Sequence, residues 1–199
     1  MKRLFIATVL LLVVQPFTLM AQTTDPVLVS RDIDIANINS FHLSGWAEVV
    51  IMPGTPRMVI TGTEEDLARI HEQRDGSSIK LWEEEVDNDG SSVPSRSTPQ
   101  VLIYCSGIKE LSANGLAQLQ LAEGLLLSTL TLTIDGVAQA DIHLEVNKIQ
   151  ARISGVANLS LSGKTDSGLI NVSGIGRYDA RSFDRGQAIL QASGIASAR

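Results

Sequence analysis

The chain has 199 residues, is 44% hydrophobic but only 4% aromatic, and carries a formal net charge of -6. That length suits one domain, or one domain with a distinct N-terminal part. The negative balance argues against nucleic acid or an anionic membrane as partner, because both require a basic footprint. Small residues and aliphatics must do most of the packing, which favours thin repetitive layers over a ring-rich globule.

Residues 1–21 read as a secretory signal peptide. Lys2-Arg3 forms the positive n-region, Leu4 to Val14 is an unbroken apolar h-region, and Gln15-Pro16 breaks it. Ala21 is the expected last residue before cleavage, although Leu19 at the −3 position is larger than the usual small residue. The alternative is a membrane anchor, but a bilayer wants about 20 apolar residues. No cysteine stands near the cut, so lipid attachment there is not expected.

Residues 22–30 are expected to be a linker, and 31–199 one domain. Its irregular N-terminal part is 31–104. Strands are predicted at 48–52, 57–61, 78–83 and 100–104, with PGTP at 53–56 as a turn. Thr63 to Gln73 is predicted as a short helix, capped by Thr63 with Glu64, Glu65 and Asp66 in its first turn. Leu67 and Ile70 then face the core. The stretch 83–99 is a polar loop holding a partial calcium pattern, Glu85-x-Asp87-x-Asp89-Gly90. A helix–loop–helix calcium site wants Asp first and Glu at position twelve. This stretch has Glu85 and Arg96, so a solvated hairpin loop is the better reading. Cys105 is the single cysteine, lies in the apolar run VLIYC, and is expected to be buried and inert.

Regular repeats are expected over 105–199. Six windows share the order apolar, polar, apolar, Ser/Asn/Asp, Gly, apolar, Ala/Gly: FHLSGWA, LSANGLA, LTIDGVA, ARISGVA, INVSGIG and LQASGIA. The last five glycines are Gly115, Gly136, Gly155, Gly174 and Gly194, at spacings of 21, 19, 19 and 20. Alternation marks strands with one buried face. Glycine permits a corner, and Ser, Asn or Asp before it can bond to nearby backbone. Such spacings leave no room for crossover helices. The natural solution is an all-β parallel solenoid with rungs of about 20 residues stacked at about 4.8 Å. A sandwich or meander is the alternative. It does not require one residue class at one position six times.

Chemistry is sparse. His42, His71 and His143 have no metal-ligand spacing, and no phosphate loop or nucleophile elbow appears. No catalytic residue, cofactor or metal is assigned, and the chain is not expected to be an enzyme. The sharpest enzymatic idea is an outward column Gln120, Asp141, Ser160, Asp179. Two rungs place Asp141 and Asp179 about 10 Å apart, near the upper limit for an inverting glycosidase pair, with His143 and Arg181 flanking them. A second idea is a flat binding face. Ser112, Thr133, Arg152, Asn171 and Gln191 form one polar column, and Gln118, Gln139, Asn158 and Arg177 another. Solubility alone also selects such residues.

Together FHLSGWAEVVIMPG, VITGTEEDLARI, SIKLW and the SG(V/I)(A/G) repeats resemble the bacterial head-GIN family. That family is a domain of unknown function described as a putative autotransporter adhesin. The resemblance covers roughly 31–199, nearly the whole chain after the signal peptide. It implies a right-handed β-helix at the bacterial envelope, often of the Bacteroidetes type, and supplies no activity or catalytic residues. Such domains usually carry on through a last strand, whereas Arg199 stands five residues past Gly194, in mid-rung. A fragment, or a partner covering the open edge, is then expected.

The expected function is therefore that of an exported, non-enzymatic envelope or surface protein, an adhesin or scaffolding module. The alternative is a carbohydrate-binding or carbohydrate-active β-helix. The expected place is the periplasm, outer-membrane surface or extracellular space. The sequence names no partner and argues against nucleic acid; an envelope glycan or protein, or a second copy through the C-terminal edge, are the candidates.

Overall fold

The computed structural model describes residues 27–84 and 98–198. The expected signal peptide, residues 22–26 of the linker, and the calcium-like pattern at Glu85 to Arg96 lie outside the described residues. In chain order the elements are β1 (Val29–Asp34), β2 (Ser40–Ser44), β3 (Glu48–Pro53), β4 (Arg57–Gly62), α1 (Glu64–Arg69), β5 (Ile70–Asp75), β6 (Ser78–Glu83), β7 (Gln100–Cys105), β8 (Glu110–Asn114), β9 (Gln118–Leu121), β10 (Leu126–Asp135), β11 (Gln139–Ser154), β12 (Asn158–Asp184) and β13 (Ile189–Ala198). The chain is all-β with one short helix, and its strands join a single curled sheet.

The repeats pair in parallel with equivalent positions side by side. Asn114 stands opposite Asp135, Asp135 opposite Ser154, Ser154 opposite Ser173, and Ser173 opposite Ser193. Before the corners lies one limb, β8–β10–β11. After them lies a second, in which β9 pairs the first residues of β11. β11 and β12 stay in one register from Gln139↔Asn158 to Ser154↔Ser173, so they belong to both limbs. The early motif copy joins the same stack, with β2 against β8 and β3 against β9.

The glycine corners hold this register. Gly115, Gly136, Gly155, Gly174 and Gly194 have φ between 61 and 71°. That left-handed conformation suits glycine. It turns the chain while the flanking strands keep their alternation. Corner amides then bond to the next repeat: Gly115 N–H donates to Asp135 O at 3.1 Å and Gly136 N–H to Ser154 O at 3.3 Å. A Cβ on Gly155 would stand 3.0 Å from Gly136 N, so the corners stack backbone on backbone.

Inward positions build one core. Phe41, Leu111, Leu132, Ala151 and Ile170 form one buried row through successive strands. Val49, Leu119, Ala140 and Leu159 form another. Each large aliphatic contributes about 1.5–3 kcal/mol by leaving water. Cys105 is buried as expected, and burial pushes its thiol pKa up to about 11 against a small opposing effect from the Gly107 backbone.

The N-terminal part extends both limbs. β7 pairs β3 in parallel, then β4 and β1 add antiparallel strands. On the other limb β6 pairs β2 in parallel and β5 closes a hairpin on β6. The strands expected at 48–52, 57–61, 78–83 and 100–104 are β3, β4, β6 and β7, within one residue at their ends.

Two expectations change. β1 begins at Val29, inside the expected linker, because Val29 and Ser30 pair with Gly62 and Thr61. The helix expected through Gln73 stops at Arg69. Its start is as expected: the Thr63 hydroxyl accepts from Asp66 N–H and the Asp66 carboxylate accepts from Thr63 N–H, a capping box. From Ile70 the chain is extended and its strand pairs β6. Cross-strand pairing outweighs helix propensity, which is a weak preference. Leu67 packs against the core and Ile70 is buried in it.

Alanine substitutions should rank by corner geometry. Gly115→Ala meets only ordinary contacts at 3.9 Å and should cost about 1–2 kcal/mol for the left-handed backbone. Gly155→Ala adds the 3.0 Å contact and should cost more. Gly163→Ala puts a methyl onto the Leu144 carbonyl oxygen, and should cost most or abolish folding. Urea midpoints measure the order; equal midpoints would contradict it. Cys105 should ignore a thiol reagent at pH 8 in the native chain and react fully in denaturant, since both its thiolate fraction and its access are low.

Candidate functional site

Side chains that face outward from this ladder keep fixed spacing, because each sits on a strand locked at about 4.8 Å from the next. The expected column Ser112, Thr133, Arg152, Asn171 and Gln191 is in register on adjacent strands. It continues beyond the expected end, through His42 and Lys80. Beside it runs the corner column Asn114, Asp135, Ser154, Ser173 and Ser193, which continues through Ser44 to Trp82 and His71. Between the two columns lies a shallow polar groove lined by Arg152, Asn171, Gln191, Ser154, Ser173 and Ser193. The corner hydroxyls are short and the neighbouring side chains long, so the groove follows from residue size.

One end of this face is aromatic. Lys80 sits 5.3 Å from the Trp82 ring centre, and the His71 ring lies 5.5 Å from the same indole, tilted by 31°. Nearby, Trp46 is 49% exposed, and its amide donates to Glu83 at 3.0 Å. The sequence reading missed this end. Lys80 and Trp82 alternate with buried Ile79 and Leu81 along β6, while His71 was hidden by the longer helix expected there.

On the opposite limb, Gln118, Gln139 and Asn158 are in register. Arg177 follows one strand on, its amide donating to Ala157 O at 2.9 Å.

The acidic column is also assembled. Asp141 stands between Gln120 and Ser160. Asp141 and Asp179 each line a shallow groove that includes Ser160 and Ser162. His143 and Arg181 flank them as expected, His143 in the Asp141 groove and Arg181 in the Asp179 groove. Arg181 clasps Asp179, donating from Nε at 3.0 Å and Nη2 at 2.6 Å, and the Asp179 carboxylate raises the Arg181 pKa in return. Asp141 accepts from Gln139 Nε2 at 2.9 Å. His143 Nδ1 is 3.1 Å from Ser162 Oγ, and Nε2 is 3.6 Å from Glu145. A general acid needs a proton to give, whereas a guanidinium-clasped carboxylate is organised to accept.

Among the described residues no group of three His, Cys, Asp or Glu is placed to hold a metal ion. No helix among them is long and apolar enough to cross a membrane. β13 pairs only β12 among the described strands, and most of its residues are exposed, Ile189 by 59%. By contrast β5, at an edge of the other end, is mostly charged and polar.

A crystal structure of a putative adhesin from Bacteroides fragilis superposes with a TM-score of 0.67 at 19% identity, covering 87% of this chain and 77% of that one. A putative adhesin from Parabacteroides merdae gives 0.52 at 18% identity, over 84% and 76% of the two chains. At these identities the likeness is one of fold. No curated protein matches the sequence. The family model for the head GIN domain, described as a putative auto-transporter adhesin, matches residues 38–199. The match spans most of the chain, which therefore belongs to the head GIN domain family.

Proposed function

We propose that the chain is an exported, non-enzymatic adhesion or scaffolding module, wound as a right-handed parallel β-solenoid of about 20-residue rungs. One observation carries the reading: the outward columns, whose polar side chains sit in register on a ladder of parallel strands. Such a face offers many weak contacts at fixed spacing to a repetitive partner. The unchanged register along β11 and β12, and the repeated left-handed corners, support the winding. The apolar run after Lys2-Arg3 supports export to the periplasm, outer-membrane surface or beyond. The Arg181 clasp on Asp179 supports a structural role for that carboxylate over acid catalysis.

The purified chain should bind isolated envelope material saturably, and cells expressing it should place it outside the cytoplasm on fractionation. Retention in the cytoplasm, or no binding to any envelope fraction, would contradict the reading. Incubation with acidic and neutral polysaccharides should release no reducing ends. Release that disappears in Asp141→Asn or Asp179→Asn would make the chain a carbohydrate-active enzyme instead.

A further inference from the structure

We propose that the outer face around Arg152 and Lys80 binds an extended anionic polysaccharide laid across the strands. The assignment rests on the adhesion reading and names its ligand class. Three observations lead to it.

The first is charge. The chain as a whole is negative, at -6. Yet the column from Lys80 through His42, Ser112, Thr133 and Arg152 to Gln191 contains no carboxylate. Both fixed cations are exposed, and no carboxylate among the described residues stands within ion-pair distance of either. Two acids stand beside the column and hold serine hydroxyls. Glu110 takes the Ser40 hydroxyl at 2.9 Å and Asp135 the Ser154 hydroxyl at 3.0 Å.

The second is spacing. Lys80 and Arg152 lie four strands apart, or about 19 Å. Double-stranded DNA carries a charge about every 1.7 Å and needs many cations to be held. Two cations this far apart engage two acid groups along a polymer and leave the stretch between them to neutral polar contacts. Between them stand the His42 imidazole and the Ser112 and Thr133 hydroxyls, and beyond Arg152 the Asn171 and Gln191 amides, a run of polar groups that suits a sugar chain with hydroxyls on every residue.

The third is shape and the aromatic end. The groove beside Arg152, Asn171 and Gln191 provides a concave bed. At the far end the half-buried Trp82 indole lies under Lys80 and beside His71, so a cation and two rings meet there. A pyranose ring presents an apolar face of its own, and an indole can pack against it while Lys80 meets the acid group.

The test is binding of the purified chain to immobilised polygalacturonate, heparin, dextran and single-stranded DNA, with circular dichroism on each variant. Lys80→Gln and Arg152→Gln should each weaken anionic polysaccharide binding about threefold or more, and together at least about tenfold. Arg57→Gln, on β4 and outside the polar columns, should bind like the parent. Binding to heparin alone, lost in the double variant, keeps the surface and makes sulfate the anion; binding to polygalacturonate makes it a carboxylate. Unchanged binding by the folded double variant, equal binding to dextran, preference for DNA, or no binding to either anionic polysaccharide would overturn the assignment. Envelope binding that survives in the double variant would leave the adhesion reading standing and remove this ligand alone.

Discussion

The left-handed glycine corner is the constraint on which the structure depends. At Gly136, Gly155, Gly174 and Gly194 the backbone turns at φ near +60°, and each corner sits on the one before it. A side chain there meets both an unfavourable backbone conformation and the neighbouring corner. Once the corners are stacked, the strands on either side have one register. The period of two then decides the rest: alternate residues go to the core or to the surface. A one-residue slip would exchange those faces, so the buried aliphatics reinforce what the corners set.

The N-terminal part obeys the same frame by a different route. β2 and β3 are a corner copy placed against β8 and β9, and the intervening chain adds strands outside them. β1, β4 and β5 are antiparallel additions. Charged residues on β1 and β5 leave those edges poor templates for further pairing. β13 carries no charge along Ile189–Ala198 and keeps an open side among the described strands. The two ends of the sheet thus differ in character, which gives the molecule a direction.

Much of this was legible in the sequence because the corner leaves a repeated chemical trace. Ser, Asn or Asp followed by Gly marked the turn, and alternation marked the rows, so Thr133, Arg152 and Asn171 could be placed side by side before any coordinates. Cys105 was legible as buried from VLIYC alone. The failures have one cause: pairing with a distant strand leaves no local trace. Val29 and Ser30 look like linker until Gly62 and Thr61 are beside them. Ile70 to Gln73 looks helical until β6 recruits it. The column of acids was legible, but the Arg181 clasp was not, since a two-residue spacing does not fix rotamers. Nor was the aromatic end, which needs His71 and Trp82 on paired strands.

The stacking itself is open to direct measurement. Spin labels on His42→Cys paired with Arg152→Cys, Asn171→Cys or Gln191→Cys read the separation across three, four and five strand spacings. Double electron–electron resonance should give mean distances rising by about 4.8 Å at each step, from about 14 to about 24 Å, broadened by the label arms. Distances that do not rise in that order, or that place Gln191 as close to His42 as Arg152 is, would contradict parallel stacking of the repeats.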